Sequence, residues 1–163
     1  MKMKDKKVLF ISQSAMIAAI YVVLTLVFAP FSYGNIQVRI SEALTILPYF
    51  TPAAIPGLFI GCLLSNIIGG SILPDILFGS LATLIGAAIS YRVRRHKYLV
   101  AVPPVIVNTL VVPFVLYYGY QINLPIPLMM LTVGIGEIIS CGVLGSVLLK
   151  VLDRYGRSIF KSS

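Results

Sequence analysis

The stretch IQVRISEALTILP, residues 36–48, decides how this chain folds. It sets Arg39 and Glu42 at the head of an apolar run that is too short for an ordinary membrane-crossing helix. Prolines 48, 52 and 56 recur every four residues behind it, and proline removes a backbone donor, so a straight α-helix through this region is not expected. Two charges in so apolar a setting need a physical reason.

That setting is the whole chain. Of 163 residues 58% are hydrophobic and 11% charged, with a mean hydropathy of +0.98. A soluble domain carries about a quarter charged residues. A chain this apolar cannot cover its own surface with polar groups, so its solvent is lipid.

The net charge of +8 raises a nucleic-acid reading, which its distribution opposes. Twelve of thirteen basic residues fall in three clusters: Lys2, Lys4, Lys6 and Lys7; Arg92, Arg94, Arg95 and Lys97; Lys150, Arg154, Arg157 and Lys161. Lysine and arginine gather in cytoplasmic loops, so all three are placed inside, where they also suit anionic lipid headgroups. No nucleic-acid partner is implied. Lone Cys62 and Cys141 read as small hydrophobes, and His96 as a solvated loop residue, so no metal site is expected. The first apolar run, about 22 residues long, reads as a retained span rather than a cleaved leader.

A crossing helix needs about 20 apolar residues. Residues 8–29, 98–118 and 126–149 supply three. An even number must lie between Lys7 and Arg92 if both are inside, and breakers at PYFTPAAIP and GGSILPD divide the interval into 40–51, 53–70 and 76–91. The expected fold is an all-α integral membrane bundle of six transmembrane helices in one domain, 1–163, with both termini cytoplasmic. The second segment reaches only about 18 Å as an α-helix, so it must be flanked by irregular chain buried in protein, or be partly re-entrant. Small residues at Gly57, Gly61, Ser65 and Gly69, and at Gly79, Thr83 and Ala87, predict close helix packing.

Four charges stand outside the basic ends: Arg39, Glu42, Asp75 and Glu137. An ionisable group inside the membrane costs about 2.5–3.5 kcal/mol on insertion scales and is a functional-site candidate by default. Arg39 and Glu42 fit either a plain ion pair or a ligand-facing pair, and Asp75 either an N-cap or a site residue. Glu137, about 17 Å into the last span, has no basic neighbour in sequence and reads as functional. Asn66 and Asn108 add amides. Three acids against one arginine favour a cationic or donor-rich small solute. No phosphate loop, GxSxG or HExxH is present, and nothing else points to an enzyme.

The run QVRISEALTILPYFTPAAIPGLFIGCLLSN, followed by DILFGSLATL, resembles the QueT family of substrate-binding S components of energy-coupling factor (ECF) transporters. The resemblance implies a subunit in the bacterial cell membrane that captures a queuosine precursor of the 7-deazaguanine class from outside. It would deliver that solute by toppling on a shared transmembrane subunit with two ATPases. ATP would then be used by the partners, with no cofactor in this chain. It also implies that Ala15 and Ala19, at the spacing of an alanine-x-x-x-alanine patch, contact the shared subunit rather than pack internally. A carboxylate, Glu42 or Glu137, would accept paired donors from the guanine-like edge, with Phe31 and Tyr33 as aromatic covers. Three alternatives stand: a proton-coupled secondary transporter working alone, an S component for another vitamin, and a structural membrane protein whose acids staple helices.

Overall fold

Proline and glycine punctuate a chain that is otherwise helix-forming, and the elements follow that punctuation. The computed structural model describes residues 3–32 and 39–159, with side chains at 4–30 and 39–154. Helix α1 is Met3–Val27, followed by a single turn, α2, at Ala29–Ser32. A 3-10 helix occupies Ile40–Tyr49, and α3 spans Ala54–Ile68. A π-turn, Asp75–Gly79, leads into α4, Ser80–Val93. A 3-10 turn, Lys97–Ala101, leads into α5, Val102–Phe114, which ends in a second π-turn, Val115–Gly119. Helix α6, Ile126–Glu137, continues through a third π-turn, Ile138–Leu144, into α7, Gly145–Ile159. No strand occurs among the described residues.

Four continuous helical stretches are long and apolar enough to cross a membrane: Lys4–Val27, Asp75–Val93, Lys97–Gly119 and Ile126–Arg154. The last runs well past the expected end at residue 149. Ala54–Ile68 is apolar but shorter. Large apolar side chains such as Ile11, Val27, Leu73, Ile106 and Leu131 are exposed, while Asn66, Asp75, Glu42 and Ser140 are buried. That inversion is what a lipid solvent selects.

The segment 40–51 departs from an α-helix, as its prolines require. Pro48 lies inside the 3-10 helix, and every side chain from Ser41 to Pro48 is buried. A 3-10 helix rises about 2.0 Å per residue against about 1.5 Å in an α-helix, so ten residues reach about 20 Å instead of about 15 Å. Such a long 3-10 run is uncommon because its hydrogen bonds are poorer. Here it is enclosed by neighbours on all sides, with Ile46, Leu44 and Leu47 in the same apolar cluster as Tyr21, Leu58 and Leu149.

Contacts fix the directions. Gly57 lies against Ser14 and Ile17, and Gly61 against Ala18 and Tyr21, so α1 and α3 run parallel. A Cβ on Gly61 would fall 2.7 Å from the Tyr21 Cβ; only glycine permits that approach. The 3-10 helix runs opposite to α1, since Thr25 meets Ser41 while Gln13 meets Thr51. Asn66 meets Asp75, and Cys62 meets Thr83, making α4 antiparallel to α3. Ser90 bonds the Val100 carbonyl across the next reversal, and Asn108 meets Glu137 across the last. Six helical segments therefore alternate in direction. Lys97 forms an ion pair with Asp153, which brings the central and C-terminal basic clusters to one end. Leu9, Leu148 and Leu152 line a common groove, so the start of α1 lies at that end too.

Candidate functional site

Every one of the six segments sends a polar side chain to one buried region toward the opposite end of the bundle. Tyr21 comes from α1, Arg39 and Glu42 from the 3-10 segment, and Cys62 and Asn66 from α3. Asp75 enters from the π-turn before α4, Asn108 from α5, and Glu137 with Cys141 from α6 and its π-turn. Tyr21, Cys62 and Asn66 are 0% exposed, and Glu42, Asp75 and Glu137 no more than 5%. The sequence candidates Arg39, Glu42, Asn66, Asp75, Asn108 and Glu137 are thus brought into one network.

The network has two parts. In the first, the Arg39 guanidinium lies 3.6 Å from the Asp75 carboxylate. Tyr120 donates its hydroxyl to the same carboxylate oxygen at 3.1 Å, and the Asn66 amide donates to the Asp75 carbonyl at 3.3 Å. Burial first, and then the Asp75 charge, hold the Tyr120 hydroxyl above its ordinary pKa, which keeps it a donor. Asp75 is the first residue of the π-turn and Pro74 holds the cap position before it, while the Asp75 carboxylate faces Arg39 and Tyr120. Arg39, extended at φ −89° and ψ 102°, precedes the 3-10 helix instead of lying on its face.

In the second part, the Glu42 carboxylate accepts the hydroxyl of Tyr21 through Oε1. Glu137 accepts the Asn108 amide at 3.1 Å and the Cys141 thiol at 3.2 Å, one on each oxygen. Ligating atoms of Glu42, Glu137 and Cys141 all lie within 4.8 Å of one another. Thr45 holds the Glu42 carbonyl at 2.6 Å. Glu42 Oε2, Asn66 Oδ1 and Ser140 Oγ are among the buried polar atoms that make no hydrogen bond among the described residues. Buried polar atoms are paired in the great majority of cases, so these exceptions mark the region as one with hydrogen-bonding capacity to spare.

All three π-turns border this region. They begin at Asp75, end one residue before Tyr120, and carry Ser140 and Cys141. Pro113, two residues upstream of the second, lacks the amide that an α-helix would use there. π-bulges recur at functional sites because the extra residue per turn redirects side chains.

The sequence reading missed Tyr21, Tyr120 and Cys141. Cys141 was expected only as a small hydrophobe. A hydroxyl in the middle of an apolar span and a thiol four residues after Glu137 were the available signals. Phe31 and Tyr33 lie outside the residues whose side chains are described. The two described grooves are apolar and open elsewhere. One of about 450 Å³ lies along Phe78, Leu110 and Tyr118, and one of about 660 Å³ between α1, the 3-10 helix and α7. Neither is lined by the buried acids. On α1, Ala15 and Ala19 are exposed, whereas Ala18 packs against α3.

Comparison with known proteins gives two matches. The family model described as QueT transporter covers residues 11–154. A protein named queuosine precursor transporter QueT, from Lactococcus lactis subsp. cremoris (strain MG1363), is 38% identical over 85 residues. That match takes in 51% of this chain and 50% of the relative, so the aligned part spans about half the relative's length. No solved structure matches.

Proposed function

The chain belongs to the QueT transporter family, and from that premise we propose that it is the membrane subunit that binds a queuosine precursor for import. The carrying observation is the convergence of the buried Glu42 and Glu137 carboxyls, with Glu42 Oε2 and Asn66 Oδ1 making no hydrogen bond among the described residues. A 7-deazaguanine presents adjacent N–H donors, and a carboxylate accepts two such bonds in a charge-assisted geometry. The name of the Lactococcus relative points to the same solute class.

In this reading the six alternating segments are six crossings with both termini cytoplasmic, because the three basic clusters share one end. The solute then enters from the end marked by Arg39, Asp75 and Tyr120. The acids are packed closed, so the segment carrying Arg39 and Glu42 must move aside to admit it. Delivery falls to an ECF module of a shared transmembrane subunit and two ATPases, which meets the exposed Ala15 and Ala19 on α1. Such small residues allow helix backbones to approach closely in lipid.

The test is mass spectrometry of small molecules that co-purify with the chain. A bound deazapurine is expected, and a different vitamin would replace the solute while keeping the receptor. A second reading, a proton-coupled carrier with Glu137 as relay, predicts that the chain alone transports in vesicles under a pH gradient. The importer reading predicts no accumulation without its ATPase partners.

A further inference from the structure

The apolar contacts of Tyr21 ask only for an aromatic ring. That ring is 0% exposed and belongs to the cluster of Ile17, Leu44 and Leu58. A hydroxyl in such a place is costly unless it is hydrogen-bonded, and this one is donated to Glu42 Oε1. The choice of tyrosine at this position therefore concerns Glu42 and not packing.

The surroundings hold both partners still. A Cβ on Gly61 would lie 2.7 Å from the Tyr21 Cβ, so the backbone of α3 abuts the base of the ring. One turn further along α1, the Thr25 hydroxyl lies 2.9 Å from the Tyr21 carbonyl and 2.7 Å from Ser41 Oγ. Thr45 donates to the Glu42 carbonyl at 2.6 Å. The Glu42 backbone is thus fixed on either side of the residue, and what remains is the plane of its carboxylate. The last torsion of a glutamate is broad, and glutamate is among the side chains that lose most rotamer freedom when ordered. The bond to Oε1 removes that freedom and gives Oε2 one direction. Oε2 makes no hydrogen bond among the described residues. The Arg39 charge also acts on Glu42, but a Coulomb attraction is far less directional than a hydrogen bond.

We infer that Tyr21 is a positioning residue of the solute site: its hydroxyl orders Glu42 before the solute arrives and leaves Oε2 as the oxygen that meets it. A side chain already ordered in the free protein loses no further freedom on binding. Helix α1 thereby contributes to recognition without touching the solute. This rests on the precursor reading above.

Calorimetry on the purified full chain tests it, with the aminomethyl and the nitrile 7-deazaguanines as probes. Tyr21→Phe removes one atom and keeps the ring, and affinity for the probe that binds should fall about tenfold, as for loss of a hydrogen bond to a charged group. In the Glu42→Gln background, where affinity is already lower, the same change should cost less than about threefold, because the charge to be ordered is gone. Thr25→Val loosens the same junction without reaching the carboxylate and should stay within about threefold of the wild-type chain. Unchanged affinity in Tyr21→Phe overturns the inference. An equal fall in Thr25→Val overturns it too, since the effect would then be one of junction packing, and so does a tenfold fall that persists beside Glu42→Gln. Unchanged affinity in Glu42→Gln alone overturns it whether or not Tyr21→Phe folds, and leaves the precursor reading resting on Glu137. Binding of neither probe to the wild-type chain overturns that reading and this inference together.

Discussion

Two regions of one buried network treat the same kind of residue differently. Where Arg39 and Tyr120 meet Asp75, the acid is compensated, and the contact ties the start of the 3-10 segment to the turns beside α4 and α5. Where Glu42 meets Glu137, two acids lie close together beside Cys141, and their direct hydrogen bonds come from a phenol, an amide and a thiol. The first arrangement holds the bundle together at one end. On the function proposed above, the second is where the solute would bind, so the difference would separate residues that carry stability from residues that carry binding.

The sharpest way to break this comparison is at Arg39. Arg39→Met leaves the buried Asp75 charge without its guanidinium, and removing one partner of such a pair costs about 3–5 kcal/mol. Unfolding of the purified protein in detergent should show that loss. A change below about 1 kcal/mol would mean that Asp75 is compensated elsewhere. At Glu137 the opposite pattern is expected. Glu137→Gln keeps the Asn108 contact possible and removes a deeply buried carboxyl group, so stability should hold or rise. Precursor affinity should nevertheless fall about tenfold or more, as for the loss of a charged hydrogen bond. If stability drops while affinity stays, the two regions have been assigned the wrong way round. The smallest effect is expected outside the network. Ala15 is exposed on α1, so Ala15→Trp should change stability by less than about 0.5 kcal/mol and spare solute binding. Co-purification with a shared transmembrane subunit should be lost, and an intact complex would place the docking face elsewhere.

How much of this was legible beforehand varies by element. The long spans are periodicity-independent runs of apolar residues, and α1, α4, α5 and α6–α7 lie within a few residues of their expected positions, except that the last helix continues beyond 149. From Pro48, Pro52 and Pro56 the region of 40–51 was readable as something other than a straight α-helix. Its 3-10 form was not, because the choice depends on neighbours able to enclose a helix of poor internal geometry. The expected Gly57–Gly61–Ser65 stripe is buried, with the two glycines against α1, whereas Gly69 lies exposed at the helix end. Ala15, Ala18 and Ala19 looked alike in sequence, and the structure separates the inward Ala18 from the other two.

The buried charges show the same division. Their cost in lipid is a property of residue type, so the chain alone marked Arg39, Glu42, Asp75 and Glu137 as needing company. Which company each one found depends on distances across the bundle. Tyr21 is 21 residues from Glu42, Tyr120 is 45 from Asp75, and Asn108 is 29 from Glu137. Pairing at those separations is fixed only when six segments pack, because electrostatic and hydrogen-bond energies act through a few ångströms of space and not along the chain. Composition therefore determined the solvent, the helical class and the roster of buried charges. Tertiary packing decided that one acid faces an arginine and that two others lie close together beside Cys141.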